Sequence, residues 1–393
     1  MSDNLILILL TMPLFSFFFL ASLNSLGGAR VKKIALALSL VIFTASLCLY
    51  GGFNPQSPSM QFYKSVPWIS SLNINFSLGV DGLSLFMVLL ATLLTPIVIT
   101  SVSDKTENPG YYMSLYFLLQ FTMIGTFCAL DIILFYLFWE LMLVPMYLII
   151  GAWGGKNRIG AALRFFLFTA FGSVFMLWGI LWVTSYFQSA NGLASFDILQ
   201  LTSSAYNFKS QCILFWMFSL AFMVKVPLFP LHTWLPHAHV EAPTGGSVML
   251  AAVLLKMGTY GFLRFSIPMF PKAAAYFAPA MMFLGAFGVL YGSLMSYAQT
   301  DLKKLIAYSS VAHLGAIVAG IFSLSASGVS GSIIQMINHG ISTGALFLLI
   351  GMIYERRHTR QLDDFGGIAA NMPVYSTLFA ITSFSSIGLP GLN

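Results

Sequence analysis

Five ionisable side chains in this sequence stand where lipid should surround them, and their types suit one kind of chemistry, the handing on of protons. Glu140, Lys225, Lys256, His313 and His339 each fall inside an apolar run of the length that crosses a bilayer. Glu140 is about the ninth residue of its run, Lys256 about the tenth, His313 about the ninth and His339 about the eleventh, so all four lie near mid-depth. An ionised group at the bilayer centre costs at least about 2.5 to 3.5 kcal/mol, so unrelated accidents at one depth are a poor account of them. A single hydrated row is the more economical reading. Lys225 opens the run Lys225-Val226-Pro227-Leu228-Phe229-Pro230, which continues past His232, Pro236, His237, His239 and Pro243. Proline removes a backbone donor and clashes with the preceding turn, so this helix is expected to break inside the membrane.

Each residue also has a plainer reading. Lys225 and Glu140 could form a structural ion pair, and a neutral histidine could simply bond a neighbouring helix. Against this, Lys256 has no helix-end position from which to snorkel to the interface, and Lys225 adjoins a break. His232, His237 and His239 lack the cysteine or ordered carboxylate companions of a metal set, so no metal is expected, and His232, closest to Lys225, is the expected proton-exchange partner. Asp131, Arg264, Lys303, Lys304 and the cluster from Glu355 to Arg360 lie at run ends, where interfacial charge is normal. The magnitudes suit the work. A proton crossing a working membrane potential needs roughly 3 to 5 kcal/mol, and two charges about 5 Å apart at an effective dielectric of about 20 interact by roughly 3 kcal/mol. Glu140 approaching or leaving Lys225 would supply energy of that size, and histidines suit the relay between lysines.

The elements that must hold these residues are membrane helices. Hydrophobic residues make up 58% of the 393 residues and charged ones 8%, and the mean hydropathy is +0.86, which excludes a soluble domain with a polar surface. Eleven complete apolar runs lie near 4 to 23, 33 to 50, 82 to 102, 111 to 130, 132 to 150, 161 to 187, 211 to 230, 247 to 267, 274 to 296, 305 to 323 and 329 to 354, and a twelfth begins near 373. The first has no basic n-region or cleavage site and reads as a retained helix. The formal charge of +6 does not point to nucleic acid, because Lys and Arg collect in alternate loops: Arg30, Lys32, Lys33, Lys105, Lys156, Arg158, Arg164, Lys303, Lys304, Arg356, Arg357 and Arg360 fall on one side. By the positive-inside rule the N-terminus is expected on the outer face. The polar stretch from Gly51 to Val80 suggests a short outer hairpin at Ile74 to Leu78. Further interruptions are expected at Gly388-Leu389-Pro390-Gly391 and at Pro145. Two broken runs five positions apart suggest an internally repeated five-helix unit, the transporter pattern. Cys48, Cys128 and Cys212 are isolated, and there is no P-loop or G-x-G-x-x-G, so no redox centre or nucleotide site is expected in this chain.

Three stretches carry a resemblance: Phe138-Trp139-Glu140-Leu141-Met142-Leu143-Val144-Pro145, the run from Ala221 through Lys225 and Trp234-Leu235-Pro236-His237-Ala238-His239 to Pro243, and Leu254-Leu255-Lys256-Met257-Gly258-Thr259-Tyr260-Gly261. Asp301-Leu302-Lys303-Lys304-Leu305-Ile306-Ala307-Tyr308-Ser309-Ser310-Val311-Ala312-His313-Leu314-Gly315 and Asn338-His339-Gly340 extend it. The chain resembles the antiporter-like chain M family (chain 4 in mitochondria) of the proton-pumping NADH:quinone oxidoreductase, respiratory complex I. The resemblance implies an all-α polytopic antiporter-like fold of fourteen helices with inverted five-helix repeats and broken helices. Residues 1 to 110 would form N-terminal helices and the hairpin, 111 to 270 the first repeat and 271 to 393 an incomplete second. It implies a translocase subunit in which Glu140 pairs with Lys225, Lys256 is the central connecting lysine, and His232, His313 and His339 belong to the hydrophilic axis. The family's exit residue would follow Gly391. FMN, iron–sulfur clusters and quinone would reside in partner subunits, neighbouring membrane-arm subunits would flank the chain, and the location would be the bacterial cytoplasmic membrane, or else an organellar inner membrane. A subunit of a multisubunit cation/proton antiporter or of a membrane-bound hydrogenase is the rival reading.

Overall fold

A computed structural model describes residues 4–392. Every expected run is a helix. In chain order these are α1 (Leu5–Ser22), α2 (Gly28–Gly51), α3 (Gly82–Ser101), α4 (Pro109–Cys128), α5 (Ile132–Leu141) with α6 (Leu143–Trp153), α7 (Arg158–Asn191), the short α8 (Ile198–Thr202), α9 (Phe208–Lys225) and α10 (Trp234–Glu241). Next come α11 (Thr244–Met249), α12 (Leu255–Gly261) and α13 (Ile267–Met269), joined into one rod by two π-turns, and α14 (Pro271–Tyr297), α15 (Leu302–Phe322), α16 (Ala326–Arg357), α17 (Ile368–Asn371) and α18 (Pro373–Ser386). Among the described residues ten helices are long and apolar enough to cross a membrane. The remaining full run, α4, is equally a helix of 20 residues; it is less apolar because it buries Ser114, Gln120, Thr122 and Thr126. The hairpin is larger than the alternation at Ile74 to Leu78 suggests: β1 (Gln61–Ile69) pairs antiparallel with β2 (Ile74–Val80), in a register that sets Val66 opposite Phe76.

The interruptions fall where proline and glycine chemistry put them. α9 ends at Lys225, and Leu228 N–H bonds back to Met223 O at 3.0 Å before the chain turns into α10. α5 and α6 part at Met142, three residues before Pro145, whose missing N–H leaves a carbonyl of the preceding turn without its helical donor. α18 ends at Ser386, followed by left-handed backbone at Gly388 (φ 80) and Gly391 (φ 94), which glycine adopts without a Cβ clash.

The chain divides into two compact units. One comprises Met1–Ile149, Phe166–Phe222 and Tyr260–Tyr276, the other Ile150–Phe165, Met223–Thr259 and Phe277–Asn393. In the first, α1 and α3 pack on α4 and the hairpin sits over their ends. Its polar tie is a cluster around Arg264, whose guanidinium donates to Asp81 at 2.8 Å, to Ser84 Oγ at 3.1 Å and to Tyr260 Oη at 3.0 Å, while Tyr260 donates to Phe127 O. Asp81 in turn caps α3 by accepting from Ser84 N. In the second unit α16 packs on α15, on α11 and on α18. α14 and α15 cross with bare backbone in contact, since a Cβ on Gly285 would lie 2.6 Å from Gly315 O and one on Gly315 an equal 2.6 Å from Gly285 O. Small residues are what permit such an approach between helices in lipid.

Candidate functional site

The central residue is Lys256, on the first turn of α12 and completely buried. Immediately before it the rod winds as a π-turn over Leu250–Leu254. A π-turn inserts an extra residue into the helical register and redirects the next turn; here the Ala251 carbonyl accepts from Lys256 Nζ at 2.6 Å. The same ammonium lies 2.6 Å from His339 Nδ1, on α16. The nitrogens can share one proton only if His339 accepts at Nδ1 when the lysine is charged, so Nε2 carries the imidazole hydrogen in that state. His339 and His313, on α15, bring their rings to a centroid distance of 5.3 Å, and His313 Nε2 lies 3.3 Å from Ser386 Oγ at the end of α18. The structure therefore gathers three of the six expected residues into one buried line, Lys256 to His339 to His313. A mostly apolar cavity of about 630 Å³, lined by side chains such as Leu305, Ile306 and Phe379, reaches the half-buried His313 and takes in Ser293, Ser309, Ser383 and Ser386.

Glu140 belongs to the first unit. It is the penultimate residue of α5, half-buried, and takes a hydrogen bond from Tyr136 one turn earlier. Trp139 beside it packs against Phe135 and Phe222, at 5.7 and 5.6 Å between ring centroids. Lys225 belongs to the second unit, is 2% exposed and closes α9 at the break. The Trp234 indole donates to Val224 O at 3.0 Å, so α10 is folded back on the residue before Lys225. His232 is buried among the rings of Phe229, Tyr291 and Tyr308.

The three histidines of the break face different surroundings: His232 that aromatic pocket, His237 the exterior, and His239 the interior, stacked on Phe347 at 4.4 Å with the ring planes 12° apart. Among the described residues no three His, Cys, Asp or Glu side chains converge as a metal set would. Spacing alone cannot rank His239 above His232, yet His239 is the one with no exposed surface. Lys303, read from its position at a run end as interfacial, is also buried and donates to Ala242 O at 2.7 Å. Asp301 fixes the start of the same helix: it caps α15 by accepting from Lys303 N and Lys304 N and binds Arg360 at 3.2 Å.

A membrane protein of broken helices enclosing a buried lysine–histidine line has the antiporter-like architecture, and solved structures share it. The chain superposes on one in the respiratory complex I of Thermus thermophilus with bound NADH, with TM-score 0.87 and 30% identity, covering 100% of this chain and 79% of that one. It also superposes on one from the Mrp complex of Dietzia sp. DQ12-45-1b, with TM-score 0.84, 21% identity and coverage of 99% and 41%, a likeness of fold alone. Residues 129–393 match the family described as NADH:quinone oxidoreductase/Mrp antiporter, TM. The chain is 45% identical over 402 residues to the NADH-quinone oxidoreductase subunit M of Rhodobacter capsulatus, covering 99% of this chain and 78% of that one. Over 363 residues it is 45% identical to the NADH-ubiquinone oxidoreductase chain 4 of Arabidopsis thaliana, with coverage of 92% and 72%. The chain belongs to the NADH:quinone oxidoreductase/Mrp antiporter family.

Proposed function

We propose that this chain is a proton-translocating subunit in the membrane arm of a proton-pumping NADH:quinone oxidoreductase, without a redox centre of its own. It sits beside other antiporter-like subunits and is driven by electron transfer from NADH to quinone through FMN and iron–sulfur clusters in partner subunits. The observation that carries the reading is the 2.6 Å contact between Lys256 Nζ and His339 Nδ1, buried in the second unit. A lysine held by one carbonyl and one imidazole has a single route for its proton, onto His339. His339 then releases its Nε2 proton toward His313. Glu140 modulates Lys225, the loaded carrier, by approach and withdrawal, and His232 exchanges protons beside it. The identity to subunit M and chain 4 proteins favours the respiratory complex over a cation/proton antiporter. The further parts of the reading are two inverted repeats, over 111 to 270 and 271 to 393, after an N-terminal segment of 1 to 110, and an N-terminus on the outer face of the bacterial cytoplasmic membrane.

Purification of the complex through this chain, followed by reconstitution into vesicles, tests the assignment. Flavin and iron–sulfur proteins should accompany the chain, and NADH with quinone should drive proton uptake or release. A complex without flavin that exchanges sodium for protons would overturn it in favour of the antiporter reading.

A further inference from the structure

Besides the line from Lys256 to His313, a second set of buried polar atoms leads along α16 toward the end that carries Arg356 and Arg357, on the basic face with Lys156 and Arg158. His339, Thr343 and Phe347 succeed one another at four-residue intervals along α16 and so share one face of it. At 1.5 Å per residue, Phe347 is about 12 Å from His339 toward the basic end. His239 lies flat on Phe347 and is within electrostatic range of both Lys256 and Lys303. Four atoms along this stretch are buried with no hydrogen-bond partner: His339 Nε2, Thr343 Oγ1, and both ring nitrogens of His239. Buried polar groups are almost always satisfied, so four orphans in one row mark a track that takes water. The His239 main chain, by contrast, is fixed, its carbonyl accepting from the buried Ser247 Oγ at 3.1 Å. Beyond it the track meets Lys303, bonded to Ala242 O, and then Arg360, which pairs with Asp301 and donates to Val240 O.

Resting on the function proposed above, we infer that His239 is a proton relay joining the Lys256–His339 pair to the aqueous phase at the basic face, with the Thr343 hydroxyl as the intermediate station. A neutral imidazole carries one N–H. A proton arriving at its bare nitrogen from the basic face is matched by release of the existing proton from the other nitrogen toward Thr343 and on to His339 Nε2, which is bare once its own proton has passed toward His313 and Nδ1 has taken the proton of Lys256. The ring ends as the opposite tautomer, with no net change in charge, and a turn of the ring about the Phe347 stack resets it. Phe347 supplies the flat surface for that turn.

The test is NADH-driven proton pumping by the complete complex in vesicles, with subunit content verified for each variant. His239→Phe keeps the stack on Phe347 and the volume but removes both nitrogens; pumping is expected to fall at least tenfold. Thr343→Val should slow it severalfold, and Thr343→Ser, which returns the hydroxyl, should recover most of the loss relative to Thr343→Val. His239→Phe pumping at the unmodified rate, or Thr343→Ser no better than Thr343→Val, overturns the relay. Lys256→Ala in the same assay separates the two readings. If it abolishes pumping while His239→Phe does not, only the relay fails; if it pumps normally, the underlying function fails with it.

Discussion

Lys256 and His339 meet through 83 residues of intervening chain, and no spacing rule in a sequence can announce such a contact. What is legible is that each is an ionisable residue deep in an apolar run, which is enough to nominate both. His239 and Lys303 are harder. A histidine inside a proline-rich break can face lipid, water or core, and the choice depends on how α10 folds back under Trp234, a tertiary fact. Lys303 has the position of an interfacial residue, and its burial goes with a contact to Ala242 O, 61 residues away in the chain, which spacing does not announce. For the Glu140 and Lys225 proposal the residue-level outcome is direct. Glu140→Gln and Lys225→Ala should each lower NADH-driven pumping about tenfold or more, a barrier increase of about 1.4 kcal/mol or above, measured as the initial rate of acidification by vesicles holding the complex. Unchanged rates in both would return the pair to a structural role.

Each long helix could be read from hydropathy, and so could its interruptions, because proline and glycine act through the local backbone. The two π-turns could not, since one extra residue in a turn leaves no compositional mark; yet Leu250–Leu254 sets the direction of Lys256. The α14–α15 crossing is likewise visible only in space. Gly315→Ala would push its Cβ into Gly285 O and Val289 N, two residues from His313, and should cost roughly 1 to 3 kcal/mol as an overpacked contact. A lowered thermal midpoint of the complex together with slower pumping would check it. Asp131 offers a pH-dependent outcome at a helix start. It caps α5 by accepting from Ile133 N and Leu134 N, and it ties β2 down through Asn75 N. Burial nonetheless pushes its carboxyl up to about 6. The folded state thus holds this proton more tightly than the unfolded chain, whose carboxyl titrates near about 3.9. The associated stability is present below about pH 4 and is lost as pH rises through about 6. Asp131→Asn should therefore flatten the fall in thermal midpoint between those values, and an identical pH profile in the variant would refute the assignment.

For the whole molecule, composition settled the solvent, and the orientation proposed from alternating loop charge has a checkable consequence. With the native cysteines Cys48, Cys128 and Cys212 replaced, Lys156→Cys should react with an impermeant thiol reagent only from the cytoplasmic side, and Gln56→Cys only from the outer side. The reverse pattern would invert the topology. The antiporter-like architecture was legible because its long motifs survive in sequence, whereas the way broken helices gather their charges was not. At this scale one claim carries the rest, that protons move through the Lys256–His339 line. The most direct measurement is the rate of NADH-driven proton translocation by vesicles containing the fully assembled complex with Lys256→Ala. A loss of at least tenfold with all subunits retained is the expected result, and translocation at the unmodified rate would contradict the claim.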